Sequence, residues 1–358
     1  MIYRLPECIS KKIFYNKILP DLTKQYTPLK KGDKTAVSLV QTKQIDSNAL
    51  PLFIGMLNLL QNKSNNPVYL ELAYNPSFLA FLDTVGFFDE LYRYGIIEYD
   101  KKYIGGFSDY NYSKGNRIMV HMPVPYFEEK PKENKQEIRD ALAEIVRGEL
   151  FCTPIFKKET TPIDNDELWN VTLISMTELI VNTMIYSGSM SYSYIQSNIA
   201  FTKDRIGHLL SVVDVGKGFY ESLGDKILKG SGYTQENRNR FYQHAQNTGI
   251  DIKKEINFLS IMEALYYSQT ISRDMNLFKL KNLLALSNAN LRIHQRNREV
   301  VFTCAQCYGC RDRDILHCLE CMWKRRSVEK NPIKSYPISM AGVHVEVEFI
   351  TGDRRCLK

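Results

Sequence analysis

The chain is 358 residues long, with 44% hydrophobic, 11% aromatic and 24% charged residues and a formal net charge of +7. This ordinary globular composition excludes a disordered, collagen-like or coiled-coil protein, and the length predicts two domains. The mild basic excess is compatible with anionic partners, including nucleotides and nucleic acid, but does not by itself argue for them.

The sequence contains nothing typical of a signal peptide or a membrane span. The longest uncharged stretch, 179–202, is interrupted by Asn, Ser, Tyr and Gln, whose polar groups a bilayer core would penalise. We therefore expect a soluble cytoplasmic protein without a membrane partner.

The first part of the chain alternates predicted strands and helices. This order predicts a parallel or mixed sheet with helices packed on it. A Pro-rich, charged stretch after residue 123 is typical of a linker, so we place an α/β domain at 1–130 and a second domain at 131–358. The predicted elements are a strand at 35–42, a helix at 49–60 capped by Asp46, Ser47 and Asn48, a strand at 68–73 and a helix at 76–82.

This N-terminal pattern resembles a known signalling fold. A strand, an Asp-Ser pair at a helix start, a strand, a helix and then Leu-Asp-Thr-Val-Gly-Phe are similar to the STAS domain of bacterial anti-sigma-factor antagonists. In that family the Asp-Ser turn often carries a phosphorylated Ser or Thr, and the matching position here is Ser47. The predicted domain is therefore STAS-like.

The second domain is predicted to combine long helices with antiparallel strands. Its last segment alternates as Gly-Val-His-Val-Glu-Val-Glu-Phe, which is typical of a strand. The predicted elements are helices at 138–150 and 166–186, strands at 191–202 and 208–214, a polar stretch at 222–250, a helical region at 251–290, and strands at 290–294, 300–303 and 342–351.

The helix at 166–186 is strongly apolar, so we expect it to be buried against a sheet. Glu178, Asn182 and Tyr186 follow at i, i+4 and i+8 and form a polar stripe along one face. An exposed polar face is the ordinary explanation of such a stripe. Buried carboxylates and amides need partners, which a bound cation and phosphates would supply.

A second feature follows 32 residues after Asn182, where a β-branched strand runs directly into Asp214. A carboxylate at a buried strand end can accept a hydrogen bond from an amino group such as that of adenine. Gly216 and Gly218 allow the backbone to turn tightly and approach a ligand. Alone, Asp-x-Gly-x-Gly is often a plain turn, but its position after a Glu-x-x-x-Asn helix is much rarer.

Together these residues resemble the GHKL ATPase superfamily, which has the Bergerat fold, a two-layer α/β sandwich. Its members include histidine kinases, anti-sigma-factor kinases, mismatch-repair ATPases, type II topoisomerases and heat-shock chaperone ATPases. The resemblance implies that Asn182 coordinates the Mg²⁺ of Mg-ATP and that Glu178 is the general base. It also implies that Asp214 binds adenine, with Gly216 and Gly218 beside it.

The chain departs from the family at the second glycine box, which usually cradles phosphate before a helix. The corresponding stretch, 272–280, contains no Gly. Ser272, Arg273 and Asn276 could still contact phosphate there. The resemblance therefore implies ATP binding more directly than turnover, and it leaves both an ATPase and a Ser/Thr protein kinase open. A STAS-like domain on the same chain makes a kinase reaction at Ser47 an attractive hypothesis.

Five of the eight cysteines lie within 304–321. Cys304, Cys307, Cys318 and Cys321 form two Cys-x-x-Cys pairs, a spacing that suits a tetrahedral zinc site. Cys310 or His317 could replace one ligand. An iron–sulfur cluster and unligated thiols are the alternatives.

We read the chain as a GHKL-type regulatory switch that binds ATP, Mg²⁺ and Zn²⁺. The zinc knuckle is expected to brace a loop. The alternative is a non-catalytic interaction module with a degenerate nucleotide site, which would bind a partner through the knuckle. A protein partner is favoured over nucleic acid, and GHKL relatives often form homodimers.

Overall fold

The structure is a computed structural model of the chain. Its fold is mixed α/β with parallel and antiparallel sheets, which confirms the predicted class. The finer assignments to the STAS and Bergerat folds stay predictions. The structure describes residues 2–107, 116–125, 127, 130–152, 166–202, 205–230, 232–271, 277–284, 289–303, 314–327 and 331–351.

The N-terminal part of the chain is built on a parallel sheet. The strands are β1 (Ile2–Arg4), β2 (Cys8–Ile9), β3 (Ala36–Ser38), β4 (Gln44–Ile45), β5 (Val68–Glu71) and β6 (Ile97–Tyr99). In the described residues β1, β3, β5 and β6 pair in that order, all parallel, and β2 pairs with β4. Parallel neighbours need a crossover connection, which the intervening helices provide.

Helices surround this parallel sheet. They are α1 (Lys11–Ile13), a π-helical turn (Phe14–Ile18), α2 (Leu19–Tyr26), α3 (Leu50–Ser64), α4 (Pro76–Thr84), α5 (Phe87–Arg93) and a 3₁₀ turn (Lys101–Tyr103). Helix α3 lies between two sheets and is therefore buried on most of its surface. Gly55 permits this approach, because a Cβ there would lie 3.1 Å from Val215 and 3.2 Å from Val213.

The rest of the chain forms an antiparallel sheet. Its strands are β7 (Arg117–His121), β8 (Ser191–Thr202), β9 (Arg205–Asp214), β10 (Ala289–Thr303) and β11 (Ile333–Thr351). Within the described ranges the order is β10-β11-β9-β8-β7. Strand β7 precedes the boundary predicted at residue 130, yet it pairs with β8. The antiparallel sheet therefore takes an edge strand from the N-terminal side of that boundary.

A layer of helices packs on one face of the antiparallel sheet. These are α6 (Lys132–Phe151), α7 (Asp166–Tyr186), α8 (Phe219–Leu228), α9 (Gln235–Asn247), α10 (Ile252–Thr270), α11 (Leu277–Leu284) and α12 (Ile315–Arg325). Helices α8 and α9 replace most of the polar stretch expected at 222–250. A capping box of Thr234 and Asn237 begins α9, and its narrow apolar face buries Phe241 and Ala245.

The two long strands at the sheet edge also differ from the prediction. The strands expected at 290–294 and 300–303 are one strand, β10, with register shifts around Arg296. Arg296 has a φ of 54°, so the strand continues through a local irregularity. Strand β11 begins at Ile333, earlier than the predicted 342, and passes through Gly342.

Both faces of the antiparallel sheet are covered. Leu210 and Val212 of β9 belong to the core shared with the helical layer. Leu209 and Val215, which alternate with them, belong to the core shared with the N-terminal part. The sheet thus separates the molecule into a helical side and an N-terminal side.

The N-terminal side of the sheet carries buried charges as well as apolar groups. Glu299 of β10 and Glu346 of β11 are each 1% exposed. Lys11 of α1 reaches both carboxylates, with its Nζ 2.5 Å from Glu299 Oε2 and 3.1 Å from Glu346 Oε2. His344 Nε2 lies 3.1 Å from Glu346 Oε1. The N-terminal part is therefore joined to the sheet by a buried ionic cluster.

Candidate functional site

A cavity of about 360 Å³ lies on the helical side of the antiparallel sheet. Helices α6, α7, α8, α10 and α11 form its walls, and the end of β9 with the adjoining middle part of β11 forms its floor. This volume falls within the roughly 300–1,000 Å³ common for small-molecule sites. Much of the lining is apolar, including Leu179, Val212, Leu223, Ala264, Leu280 and Val345.

Asp214 lies among these apolar groups at the last residue of β9. It is 3% exposed. Burial raises the pKa of the Asp214 carboxyl to about 7, although the amide N–H groups of Gly216 and Val343 donate to it and partly offset that rise. The Gly216 bond measures 3.0 Å at Oδ1. Because a carboxylate offers about four lone-pair positions, capacity remains for a donor from a ligand.

Two glycines allow the backbone to close around Asp214. A Cβ at Gly216 would lie 1.9 Å from the carbonyl oxygen of Ser187, which is closer than any real contact. A Cβ at Gly342 would lie 2.0 Å from the carbonyl oxygen of Asp214, and Gly342 has a φ of 82°. The carboxylate is thus held where β9, β11 and the end of α7 meet.

The polar stripe of α7 lines the same cavity. Glu178, Asn182 and Tyr186 all face it, together with Asp214 from the sheet. The structure therefore brings together the three residues that the sequence analysis assigned to base, metal ligand and adenine contact. Their proposed roles stay predictions.

Glu178 and Asn182 are both bound by a residue that the sequence analysis did not identify. Arg139 of α6 donates from Nη2 to Glu178 Oε2 at 2.8 Å and from Nη1 to Asn182 Oδ1 at 3.3 Å. The side chains of Arg139 and Glu178 are 25% and 27% exposed. Arg139 therefore places a positive charge beside the two groups at the more open part of the cavity.

Two lysines add further positive charge to the lining. Lys217 lies inside the Asp-x-Gly-x-Gly sequence, and its Nζ is 2.6 Å from Asp225 Oδ2. Lys226 places its Nζ 4.0 Å from the centre of the Tyr186 ring. The cavity thus combines apolar walls and a buried carboxyl group with charged groups at more exposed positions.

Gly218 has a supporting position rather than a place on the cavity surface. It precedes α8, and a Cβ there would lie 3.1 Å from Gln295 Cδ. Gln295 Oε1 accepts from the Phe219 amide at 2.9 Å, so Gly218 allows the start of α8 to pack on β10. Ser272, Arg273 and Asn276 lie outside the described residues.

The described half of the cysteine segment forms helix α12. Cys318 is buried in the core, with its Sγ 3.9 Å from Lys281 Nζ. Cys321 Sγ lies 3.4 Å from His317 Nε2 across one helical turn. Among the described residues no group of three or more His, Cys, Asp and Glu side chains is arranged to hold a metal. Cys304, Cys307 and Cys310 lie outside the described part.

Ser47 lies on the other side of the sheet from the cavity. It lines a separate polar cleft with Leu209, Arg292, Glu346 and Glu348. The floor residues Val212 and Val345 point to the opposite face. The sheet therefore separates Ser47 from the cavity of the same molecule.

The residues missed by sequence reasoning had weak signals. Arg139 is one of several charged residues on α6, and nothing local distinguishes it from Arg147, which pairs with Glu144 on the surface. Lys217 stood within the motif already identified. Lys226 follows Lys217 by nine residues and is brought to the cavity only when α8 packs on α10.

Comparisons with protein-family models, curated proteins and solved structures return no match for this chain. Among the residues that the structure describes, no helix combines the length and apolar character needed to cross a membrane.

Proposed function

We propose that this cavity binds Mg-ATP and that the protein is a GHKL-type ATPase or protein kinase with a regulatory role. The observation that carries the proposal is the convergence of Glu178, Asn182 and Asp214 on one cavity. These residues come from a helix and a strand end separated by 32 positions, in the order found in the GHKL resemblance.

The Asp214 end suits a purine base. Flat apolar rings gain from burial against aliphatic side chains, and a single buried acceptor can select the exocyclic amine of adenine. Val212 and Ala264 belong to the lining on this side of the molecule. Asp214 would accept that amine with the carboxyl capacity left by its two backbone donors.

The charged end suits a metal and phosphates. Asn182 offers an amide oxygen, a ligand type that Mg²⁺ accepts beside water and phosphate oxygens. A bound Mg²⁺ would neutralise part of the negative charge of the phosphates. Lys217 and Lys226 supply positive charge from the protein. These groups offset in part the lack of glycine in the second box.

Glu178 would orient or deprotonate the nucleophile. With water as nucleophile the protein would be an ATPase, and with a hydroxyl group it would be a kinase. Since the sheet stands between Ser47 and the cavity, a kinase reaction would take a hydroxyl group from another molecule. This position of Ser47 argues against transfer within one chain.

The first experiment measures ATP binding by calorimetry with and without Mg²⁺. We expect wild-type protein to bind ATP, Asp214→Asn to lose binding and Asn182→Ala to lose the dependence on Mg²⁺. Asn239→Ala, at an exposed position on α9, is the control and should bind like wild type. Absence of ATP binding by folded wild-type protein would reject the proposal and favour the non-catalytic interaction module.

We also propose that the cysteine segment binds Zn²⁺. Two tetrahedral ligands at Zn–N about 2.1 Å and Zn–S about 2.3 Å lie about 3.6 Å apart. The 3.4 Å between His317 Nε2 and Cys321 Sγ is compatible with that separation. Zinc held there would brace α12 against the core.

A further inference from the structure

One guanidinium group bridges the two polar residues of α7 that the proposed function uses. Arg139 reaches them from α6, at separations of 39 and 43 residues along the chain. The contact therefore depends on the packing of α6 beside α7. It gives Glu178 and Asn182 a shared cationic partner.

This contact occupies the atoms that Mg-ATP would need. Asn182 Oδ1 is the oxygen with which the amide would coordinate a hard cation, and Glu178 Oε2 belongs to the carboxylate that would act on the nucleophile. A guanidinium group and Mg²⁺ repel each other and compete for the same oxygen. Metal coordination by Asn182 therefore requires Arg139 to move.

A displaced Arg139 would need a new acceptor close by. Its ion pair with Glu178 is partly exposed, so exchange for another anion has a low free-energy cost. A terminal phosphate offers oxygens that match the fork of a guanidinium group. Among the cavity cations in the described ranges, Lys217 contacts Asp225 and Lys226 contacts Tyr186. Arg139 is the cation positioned next to Glu178.

We propose that Arg139 is a positioning residue that exchanges partners, holding Glu178 and Asn182 in the empty site and the terminal phosphate of ATP in the loaded site. The inference rests on the proposed function, because it requires a nucleotide in this cavity. ADP lacks the phosphate that would take over the guanidinium group. Arg139 therefore gives the site its preference for ATP, and it releases Glu178 when the triphosphate is present.

The test compares the affinities of ATP and ADP, each with Mg²⁺, by calorimetry. The proteins are wild type, Arg139→Gln and the control Arg147→Gln, which removes a partly exposed arginine from the same helix. In Arg139→Gln we expect ATP affinity to fall at least about tenfold, as for loss of a charge-assisted contact. ADP affinity should stay the same or rise, since the competitor for Asn182 is gone. Arg147→Gln should match wild type for both.

Two results would overturn the inference while leaving the proposed function intact. One is an equal loss of ATP and ADP affinity in Arg139→Gln, which would indicate a merely structural residue. The other is undiminished ATP affinity in that variant. If wild type binds neither nucleotide, the proposed function fails and this inference fails with it. If Arg139→Gln does not fold, Arg139→Lys takes its place in the experiment. We expect Arg139→Lys to lose part of the preference for ATP over ADP.

Discussion

Asp214 combines deep burial with a position on a cavity surface. A carboxyl group whose pKa is raised to about 7 changes its charge near neutral pH. In the folded protein its raised pKa favours the protonated form, so this group's contribution to stability is lost as pH rises from about 4 to 7. A ligand that donates a hydrogen bond to the ionised carboxylate would recover part of that loss.

This linkage gives a pH dependence of adenine binding. The exocyclic amine stabilises the ionised form, so affinity for adenosine should rise by up to about tenfold from pH 6 to pH 8. Adenosine is the probe because the phosphates of ATP titrate near pH 6 themselves. Calorimetry at a series of pH values measures the slope in wild type, and the control Asn239→Ala should show the same slope. An affinity of wild type for adenosine that does not change between pH 6 and pH 8 would contradict the assignment of Asp214.

Residues of the candidate site differ in how far the sequence could predict them. Glu178 and Asn182 share one face of one helix, so their spacing alone places them together. Asp214 ends an apolar strand and stands beside glycines, which is a local signal too. Arg139 joins them through the packing of α6 on α7, and packing between distant elements has no local signature. Gly218 shows the converse. It belongs to the Asp-x-Gly-x-Gly motif, but in the structure it allows the start of α8 to pack on β10.

The three described candidate zinc ligands on helix α12 differ in how deeply they are buried. Cys318 faces the core, where Lys281 lies close to its thiol. His317 and Cys321 are half-buried and adjacent to each other. The four-cysteine set predicted from the spacing includes Cys318, but the helix favours His317, the substitute, because i and i+4 share a face.

We therefore expect His317→Ala and Cys321→Ala to lower the zinc content of purified protein below about half an equivalent, because a structural site uses all four ligands. Cys318→Ala should retain zinc and lose stability through its buried position. Metal analysis of protein purified without added zinc provides the measurement. Loss of zinc in Cys318→Ala with retention in His317→Ala would instead support the four-cysteine set.

The most predictable elements were a long apolar helix and the strand that follows it. Helix α7 and strand β8 have the bounds expected from the sequence, Asp166–Tyr186 and Ser191–Thr202. Helix α9 was missed because its polar surface outweighs its two buried apolar residues, Phe241 and Ala245, in any local average of hydrophobicity. The first 30 residues gave weak periodicity, since their apolar residues pack against two sheets rather than along one face.

At the scale of the whole molecule, the N-terminal part covers a sheet face whose charges would otherwise meet water. The alternation of β11 places Val345 on the helical side and His344 and Glu346 on the N-terminal side. Sequence alternation predicts the two faces but not what covers the polar one. Lys11, from a segment with little pattern of its own, places one positive charge between Glu299 and Glu346 there.

This buried cluster should make the fold sensitive to acid. Despite burial, Lys11 lowers the pKa of Glu299 to about 2, and the pKa of Glu346 also lies below its ordinary value. These carboxyl groups bind protons less readily in the folded protein than in the unfolded chain, so they stabilise the fold above about pH 4.5. This stability is lost as the pH falls toward their pKa values in the folded protein. Burial also lowers the pKa values of His294 and His344, so stability begins to fall below about pH 6.5 as the unfolded histidines take up protons.

Lys11→Met tests this cluster, because it leaves two buried carboxylates without their shared cation. At pH 7 we expect a loss of about 3–5 kcal/mol in the free energy of unfolding, measured by urea denaturation. The difference in the free energy of unfolding between wild type and Lys11→Met should become smaller toward pH 4. The variant keeps Lys334 3.1 Å from Glu299 and Arg292 3.7 Å from Glu346, and protonation relieves the excess negative charge that remains. Lys43→Met removes an exposed lysine 2.7 Å from Glu7 and should leave stability unchanged. A Lys11→Met loss no larger than that of Lys43→Met, or one that widens in acid, would show that the cluster does not hold the N-terminal part to the sheet.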